Sequence, residues 1–308
     1  MKKFASRLYN TGLIVFLMAM AMLGGGIQQA AGMPSVDYST TVGSNEYFIS
    51  PPEQGTEISE AANIEPTMVL DEENLKITLQ SIDYSSGPFV IINYEVQNLY
   101  DQRVTVQTRE FSINGYMIEA SCSSDVRAGE TLQDVMYIDR DELALAGIGE
   151  IVDMQMIFKA FESSTYNDIY ISDYVYIGTD GTYQQTYDDS GIVLYDENNV
   201  KVVMKPLDFS NSVEGPRIPL YIENNNNISL TCSTSDLKIN GFLIDEFFIR
   251  DISPGKRLVA YIDYFETPKS QYGIEEFEDI EFEMFFLSMD NIDTFFTTGS
   301  LYVDLKEN

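Results

Sequence analysis

Phe111-Ser-Ile-Asn-Gly-Tyr-Met-Ile-Glu119 and Leu237-Lys-Ile-Asn-Gly-Phe-Leu-Ile-Asp245 are two versions of one segment, set 126 residues apart. In each, a short alternating stretch runs into Asn-Gly and resumes with apolar residues. Asn-Gly is a strong hairpin signal, because a type I′ turn needs φ > 0 at both central positions. With the offset of 126 held without gaps, Asn98 meets Asn224, Thr105 meets Thr231, Asp125 meets Asp251, Gly129 meets Gly255 and Leu132 meets Leu258. Gly147-Ile148 meets Gly273-Ile274, Glu150 meets Glu276 and Asp153 meets Asp279. Upstream, with small gaps, Val69-Leu-Asp-Glu-Glu-Asn-Leu75 resembles Val193-Leu-Tyr-Asp-Glu-Asn-Asn-Val200, and Gly87-Pro88 resembles Gly215-Pro216. Such a period is too long for a solenoid unit and suits two complete globular domains. They are expected at 67–179 and 191–308, joined by a linker at 180–190.

Each copy reads as β-rich. Leu75–Ile82 alternates apolar and polar residues, the period of a half-buried strand, and Phe89–Val96 reads as a more buried one. Val104–Thr108 and Phe111–Ile113 are further short strands. Leu132–Ile138, Asp153–Phe158 and Tyr170–Ile177 follow, matched by Leu258–Tyr264, Asp279–Phe285 and Ser300–Leu305. One short helix per copy is predicted, Asp141–Ala146 and Thr267–Tyr272, each followed by a helix-ending Gly. Many short strands with turns every ~8–12 residues predict an all-β chain of two tandem immunoglobulin-like β-sandwiches.

Ahead of the repeats stands an export signal. Lys2, Lys3 and Arg7 precede the apolar run Gly12–Leu23, then Gly24-Gly25-Gly26 breaks it and Ala30-Ala31-Gly32 offers small residues to a peptidase. The run is short of the ~20 residues that a spanning helix needs. Residues 1–32 are therefore expected to be a signal peptide and the protein to be extracellular or envelope-associated. Residues 33–66 hold six acidic and no basic residues, with four of the ten prolines, and are expected to be a flexible, self-repelling tether.

The whole chain has 308 residues, 49 Asp and Glu against 18 Lys and Arg, no His and no Trp, for a formal charge of −31. Loss of three basic residues with the signal takes this to −34. Such a surface repels phosphate backbones and anionic headgroups, which argues against nucleic-acid and membrane-surface partners. Without His there is no Ser-His-Asp or Cys-His mechanism, and two Cys cannot make a structural zinc site.

Certain motifs are shared with a wider group: Asn74-Leu-Lys-Ile77 and Asn199-Val-Lys-Val202, Tyr94-Glu-Val-Gln-Asn98, Ile113-Asn-Gly115, Ala128-Gly129 and Pro254-Gly255, and Gly147-Ile-Gly-Glu-Ile-Val-Asp-Met154 with Gly273-Ile-Glu-Glu-Phe-Glu-Asp-Ile280. With these the chain resembles the immunoglobulin-like domains of uncharacterised secreted proteins and lipoproteins of Gram-positive bacteria. The resemblance implies an exported or cell-envelope protein with no catalytic residues to carry across. It departs from the lipoprotein members in lacking a Cys after the apolar run.

Candidate chemistry is sparse. Acidic clusters at Asp71 and Glu72, at Asp196 and Glu197, and at Asp139 and Asp141 are weak Ca²⁺ candidates, since calcium takes carboxylates on loops. The segment Asp139–Glu150 matches an EF-hand loop only at its first, third and twelfth positions. No carboxylate pair stands out for glycoside hydrolysis. Alternation places Tyr170, Tyr174 and Tyr176 on one strand face, a binding-surface candidate, with Tyr166, Tyr183 and Tyr187 nearby in sequence. Cys122 and Cys232 lie in different repeats, and Cys232 matches Val106, so a buried free thiol is expected, with an interdomain disulfide as the alternative. The expected function is a non-enzymatic, monomeric contact module that meets a protein or glycan and needs no cofactor. The alternatives are a carbohydrate-binding module with Tyr platforms and an accessory unit of a secreted hydrolase system.

Overall fold

Side chains that alternate between a core and a wet face dictate most of this chain's backbone: along Phe89–Asn98 every second residue is buried. The computed structural model describes residues 58, 62–210, 215–288 and 295–306. The expected signal peptide and most of the expected tether lie outside the described residues.

The first half contains β1 (Thr67–Asp71), β2 (Leu75–Asp83), β3 (Phe89–Asn98), β4 (Val104–Ile113), β5 (Tyr116–Met117), β6 (Ala120–Ser121), β7 (Ser123–Val126), β8 (Thr131–Asp139), helix α1 (Arg140–Leu145), β9 (Asp153–Glu162), β10 (Asp168–Ile171) and β11 (Val175–Gly178). The second contains β12 (Ile192–Glu197), β13 (Val200–Met204), β14 (Ile218–Asn224), β15 (Leu230–Ile239), β16 (Phe242–Leu243), β17 (Glu246–Phe247), β18 (Ile249–Ile252), β19 (Arg257–Tyr264), helix α2 (Pro268–Tyr272), β20 (Asp279–Leu287) and β21 (Phe295–Asp304). Strands β4 to β7 recur as β15 to β18 with every boundary displaced by 126 residues.

Strand order recurs too. In the first half β1-β2-β3-β8-β6 form one sheet, while β9 joins β10 and β11 to β4, which also pairs with β5 and β7. In the second half β12-β13-β14-β19 carry β17, while β21-β20-β15 carry β16 and β18. Ile77, Leu79, Ile92 and Tyr94 from one sheet share a core with Val106, Ile113, Met156 and Phe158 from the other. The counterpart joins Val202, Leu220 and Ile222 to Cys232, Ile239 and Phe282. Each large apolar side chain so buried stabilises the fold by roughly 1.5–3 kcal/mol.

The halves are fused rather than strung apart. Hairpin strand β5 pairs in parallel with β19, Tyr116 opposite Arg257, so one sheet of eleven strands runs through both halves. The Arg257 N–H donates to the Gly115 carbonyl at 3.1 Å.

Polar side chains do the same work in both copies. Buried Asn98 donates from Nδ2 to the Gln102, Val126 and Arg127 carbonyls and accepts the Tyr100 N–H. Asn224 donates to Ile228, Ile252 and Ser253 and accepts from Asn226. Asn114, at φ 49, and Asn240, at φ 54, open the two Asn-Gly hairpins as expected. Their side chains also reach across the fold. Asn114 donates to the Glu150 carbonyl and accepts from Val152 and Asp153; Asn240 donates to Glu276 and accepts from Glu278 and Asp279.

Two expectations need correcting. Val104–Thr108 and Phe111–Ile113 are one strand, kinked by a bulge between Arg109 and Ser112, where Glu110 takes φ 48. Packing starts before residue 67: Ala62 and Ile64 are buried, and the Asn63 side chain donates to the Ile82 carbonyl and accepts the Ile82 N–H. Residues 180–190, the expected linker, bond to both halves: the Thr182 and Tyr183 N–H groups donate to the Glu150 carboxylate, and Lys205 holds Asp188.

Candidate functional site

The tyrosine candidates do not share a face. Tyr170, on β10, sits opposite Ala160, whereas Tyr176, on β11, sits opposite Gln155; Ala160 belongs to the core and Gln155 is on the reverse face of β9. The interruption has a local cause. Ser172 Oγ accepts the Phe158 N–H at 2.9 Å and donates to the Asp173 carbonyl, so a side chain takes a rung of the ladder and the strand restarts out of phase. Thr298 repeats the device against the Met284 N–H. Alternation counted straight through residue 172 therefore fails.

Each tyrosine has its own surroundings. The Tyr170 hydroxyl donates to Glu72 at 2.9 Å; partial burial and the Glu72 carboxylate push its pKa up to about 12. The Tyr174 hydroxyl donates to Glu110, and burial, then Glu110, raise its pKa. Glu110 also accepts from Ser229 Oγ at 2.7 Å and Ser253 Oγ at 2.8 Å, so this carboxylate ties the first half to the second. Tyr176 alone of the three is widely open, at 72% exposure. Tyr166 is 73% exposed, with its ring stacked on Phe161. Tyr187 belongs to the junction: its hydroxyl donates to the Asn114 carbonyl, its ring meets Tyr116 edge-on, and the Arg257 guanidinium lies 3.9 Å above it.

The acidic candidates are scattered and mostly have structural tasks. Asp71 pairs with Lys76 at 2.5 Å, and Glu72 receives Tyr170. Asp139 caps α1 by accepting the Asp141 N–H, while Asp141 is exposed in the first turn. Asp196 and Glu197 are exposed beside the turn at Asn198-Asn199. Among the described residues, no three Cys, Asp or Glu side chains come close enough together to hold a metal ion.

Charged groups that the sequence did not single out lie where the halves meet. Arg250 reaches from β18 to Glu119 at 3.3 Å and to Asp263 at 3.8 Å. Beside it both oxygens of Glu142 accept the Glu119 N–H at 3.1 Å. Burial, then the Glu119 charge, push the Glu142 carboxyl up to about 8. Further along the second half, Asp208 receives the Tyr261 hydroxyl at 2.7 Å and the Ser210 N–H at 2.8 Å, and pairs with Arg217, whose guanidinium lies 3.7 Å above the Tyr261 ring. Burial alone would raise this carboxyl, but those donors more than offset it and hold it near 2.

Both cysteines are free and buried. Cys122 Sγ lies 3.0 Å from the Tyr94 hydroxyl, and Cys232 Sγ donates to the Arg250 carbonyl at 3.3 Å. Burial pushes the Cys122 thiol up to about 11 and raises Cys232 further, which keeps both as unreactive thiols.

No family model matches the chain, and no curated protein matches it. Solved structures similar to parts of it include the YadV chaperone, at 9% identity over 69% of this chain and 91% of that one with a TM-score of 0.22. A red sea bream transglutaminase matches at 12% identity over 76% of this chain and 32% of its own, TM-score 0.20. A protein of unknown function from Porphyromonas gingivalis W83 matches at 12% identity over 75% of this chain and 100% of its own, also at 0.20. At these TM-scores none of the three bears on fold or function.

Proposed function

We infer that the chain is an exported, non-enzymatic contact module: a signal peptide at 1–32, an acidic tether, and two immunoglobulin-like sandwiches in tandem, near 67–179 and 191–308. The reading of two sandwiches rests on the repeated strand order. β2-β3-β8-β6 against β11-β9-β4 follows the ABED and GFC arrangement of an immunoglobulin-type sandwich, and β13-β14-β19-β17 against β21-β20-β15 follows it again. The domains would belong with the secreted Gram-positive group that their turn motifs resemble.

One observation carries the contact role. Two of the polar pairs retained at the 126-residue offset, Asn98 with Asn224 and Asn114 with Asn240, spend most of their hydrogen bonds on backbone. What the repeat preserves is scaffold, and that leaves function to the surface. A glycan reading has its own observation in the open rings of Tyr176 and Tyr166. A glycan array tests it: binding that is lost in Tyr176→Ala or Tyr166→Ala makes the module a carbohydrate binder. Turnover above background in a hydrolase panel would overturn the non-enzymatic reading.

A further inference from the structure

Asn-Gly occurs twice in the sequence, in the matched settings Ile113-Asn-Gly-Tyr116 and Ile239-Asn-Gly-Phe242. The pair carries a chemistry of its own. A glycine has no Cβ to shield its backbone nitrogen, so that nitrogen can attack the side-chain carbonyl carbon of the asparagine before it. With Ile on one side and an aromatic ring on the other, the two sites have the same intrinsic reactivity once the chain is unfolded. Any difference between them in the folded chain is set by the fold.

Ring closure turns the asparagine side chain back onto the next peptide nitrogen. Both side chains are held by backbone groups across the fold, so the turn must open before reaction, and the rate scales with the fraction open. What opening costs differs between the copies. In the first half the Tyr187 hydroxyl donates to the Asn114 carbonyl, the Arg257 N–H donates to the Gly115 carbonyl, and Asn114 Nδ2 also reaches Gln185 Oε1. Asn114, Tyr116 and Met117 are all buried. In the second half Asn240 is half-buried, and Gly241, Phe242 and Leu243 are exposed. Among the described strands β16 pairs with β15 alone, through Ile239 opposite Phe242 and Lys238 opposite Leu243.

We propose that Asn240 is a site of spontaneous conversion to aspartyl and isoaspartyl residues in the folded protein, with water as co-reactant, and that the junction between the halves protects Asn114 from the same reaction. The Gly241 nitrogen bonds to Asn240 Cγ, the Cγ–Nδ2 bond breaks, and Nδ2 leaves as ammonia with the proton from the Gly241 nitrogen. The five-membered imide then takes up water. Opening at Cγ leaves aspartate; opening at the backbone carbonyl carbon leaves isoaspartate, whose main chain runs through Cβ and Cγ. Either product lacks the donor that Nδ2 gives to the Glu276 carbonyl, and isoaspartate also lengthens the backbone of a two-residue turn. The step is one-way, so molecules with a loosened second hairpin accumulate as the protein ages.

The full chain is incubated in mildly alkaline buffer, folded and in urea, and its peptides are followed by mass spectrometry for the gain that replacing NH2 by OH gives. An isoaspartyl-specific methyltransferase separates the two products. In urea the two sites should convert at equal rates. In the folded chain Asn240 should convert at least about tenfold faster than Asn114, since opening the first hairpin breaks further hydrogen bonds and uncovers two buried side chains. Gly241→Ala should lose most of the conversion at Asn240. Its Cβ meets open space, and its φ of 77 strains the turn towards opening, so a loss there reports the shielded nitrogen and not a tighter fold. Asn114 converting as fast as Asn240 in the folded chain, unequal rates in urea, or undiminished conversion in Gly241→Ala overturns the proposal. So does an intact Asn240 in the folded chain after about a hundred times the period needed in urea. None of these readings involves a ligand, so the contact-module reading stands or falls separately.

Discussion

Replacing Asn114 by Ala removes a cross-fold tie whose value follows from its partners. Asn114 is 3% exposed and, besides a long 3.3 Å bond to Gln185 Oε1, its side chain makes three bonds to backbone: one to the Glu150 carbonyl at 2.6 Å and two from the Val152 and Asp153 N–H groups at 2.8 and 3.2 Å. At about 1 kcal/mol for each bond in a buried site, their loss costs ~3 kcal/mol. The backbone stays at φ 49, which costs Ala ~1 kcal/mol that Asn partly avoids. Asn114→Ala is thus expected to lose ~4 kcal/mol and Asn114→Gly ~3, since Gly adopts that φ freely. Asn240 makes the same three bonds but is only partly buried, so water replaces some of them and Asn240→Ala is expected to lose ~2 kcal/mol. With no Trp in the chain, urea unfolding is followed by far-ultraviolet circular dichroism. At an m value of ~3 kcal/mol/M, the larger loss lowers the midpoint by a little over ~1 M. If Asn114→Ala loses less than ~1 kcal/mol, or no more than Asn240→Ala, the account of these residues as ties is refuted.

Other expectations follow from the junction and the buried groups. Met117→Asp puts a charge into the interface between the halves, so cleavage within 180–190 by limited proteolysis should speed up; unchanged cleavage would count against β5 as a fastener. Glu142 titrates near 8 in the folded chain against about 4.5 when unfolded, so the native state holds the extra proton and stability should fall as pH rises between those values. Glu142→Gln should flatten that slope in thermal melts from pH 5 to 8, and an unchanged slope would reassign it. The Asp208 carboxyl is depressed to about 2, so its contribution is present above about pH 4 and is lost as pH falls towards 2; Asp208→Asn should remove that acid limb. Both thiols should resist Ellman's reagent in native buffer and both should react in denaturant, with fast native labelling of either as the contrary result.

Turn residues and alternation made the strands readable, because Asn-Gly and short half-buried runs are local signals. That is why β4 to β7 and their copies fall where the repeated segment puts them. Tyr170, Tyr174 and Tyr176 were misplaced for an equally local reason: Ser172 substitutes its hydroxyl for a backbone rung, and period-two counting has no sign for that. The junction was not readable from either copy alone. Tyr116 and Met117 look like ordinary hairpin residues, and Glu110, Glu142 and Arg250 look like surface charge. A signal did exist in the comparison of the copies, where Glu95 becomes Tyr221 and Gln133 becomes Val259. Apolar residues on the outward phase of a strand in one copy only mean that something covers that face.

That cover arrives late. Val203, Tyr221 and Val259 complete a cluster otherwise built from residues before 178, so a chain made from its N-terminus has all of its first half in hand while Tyr116 and Met117 still face water. Only when β19 has followed, well over a hundred residues after β5, does the strand that β5 pairs with exist. The first half must wait with an open hairpin, in the form that the second half keeps permanently.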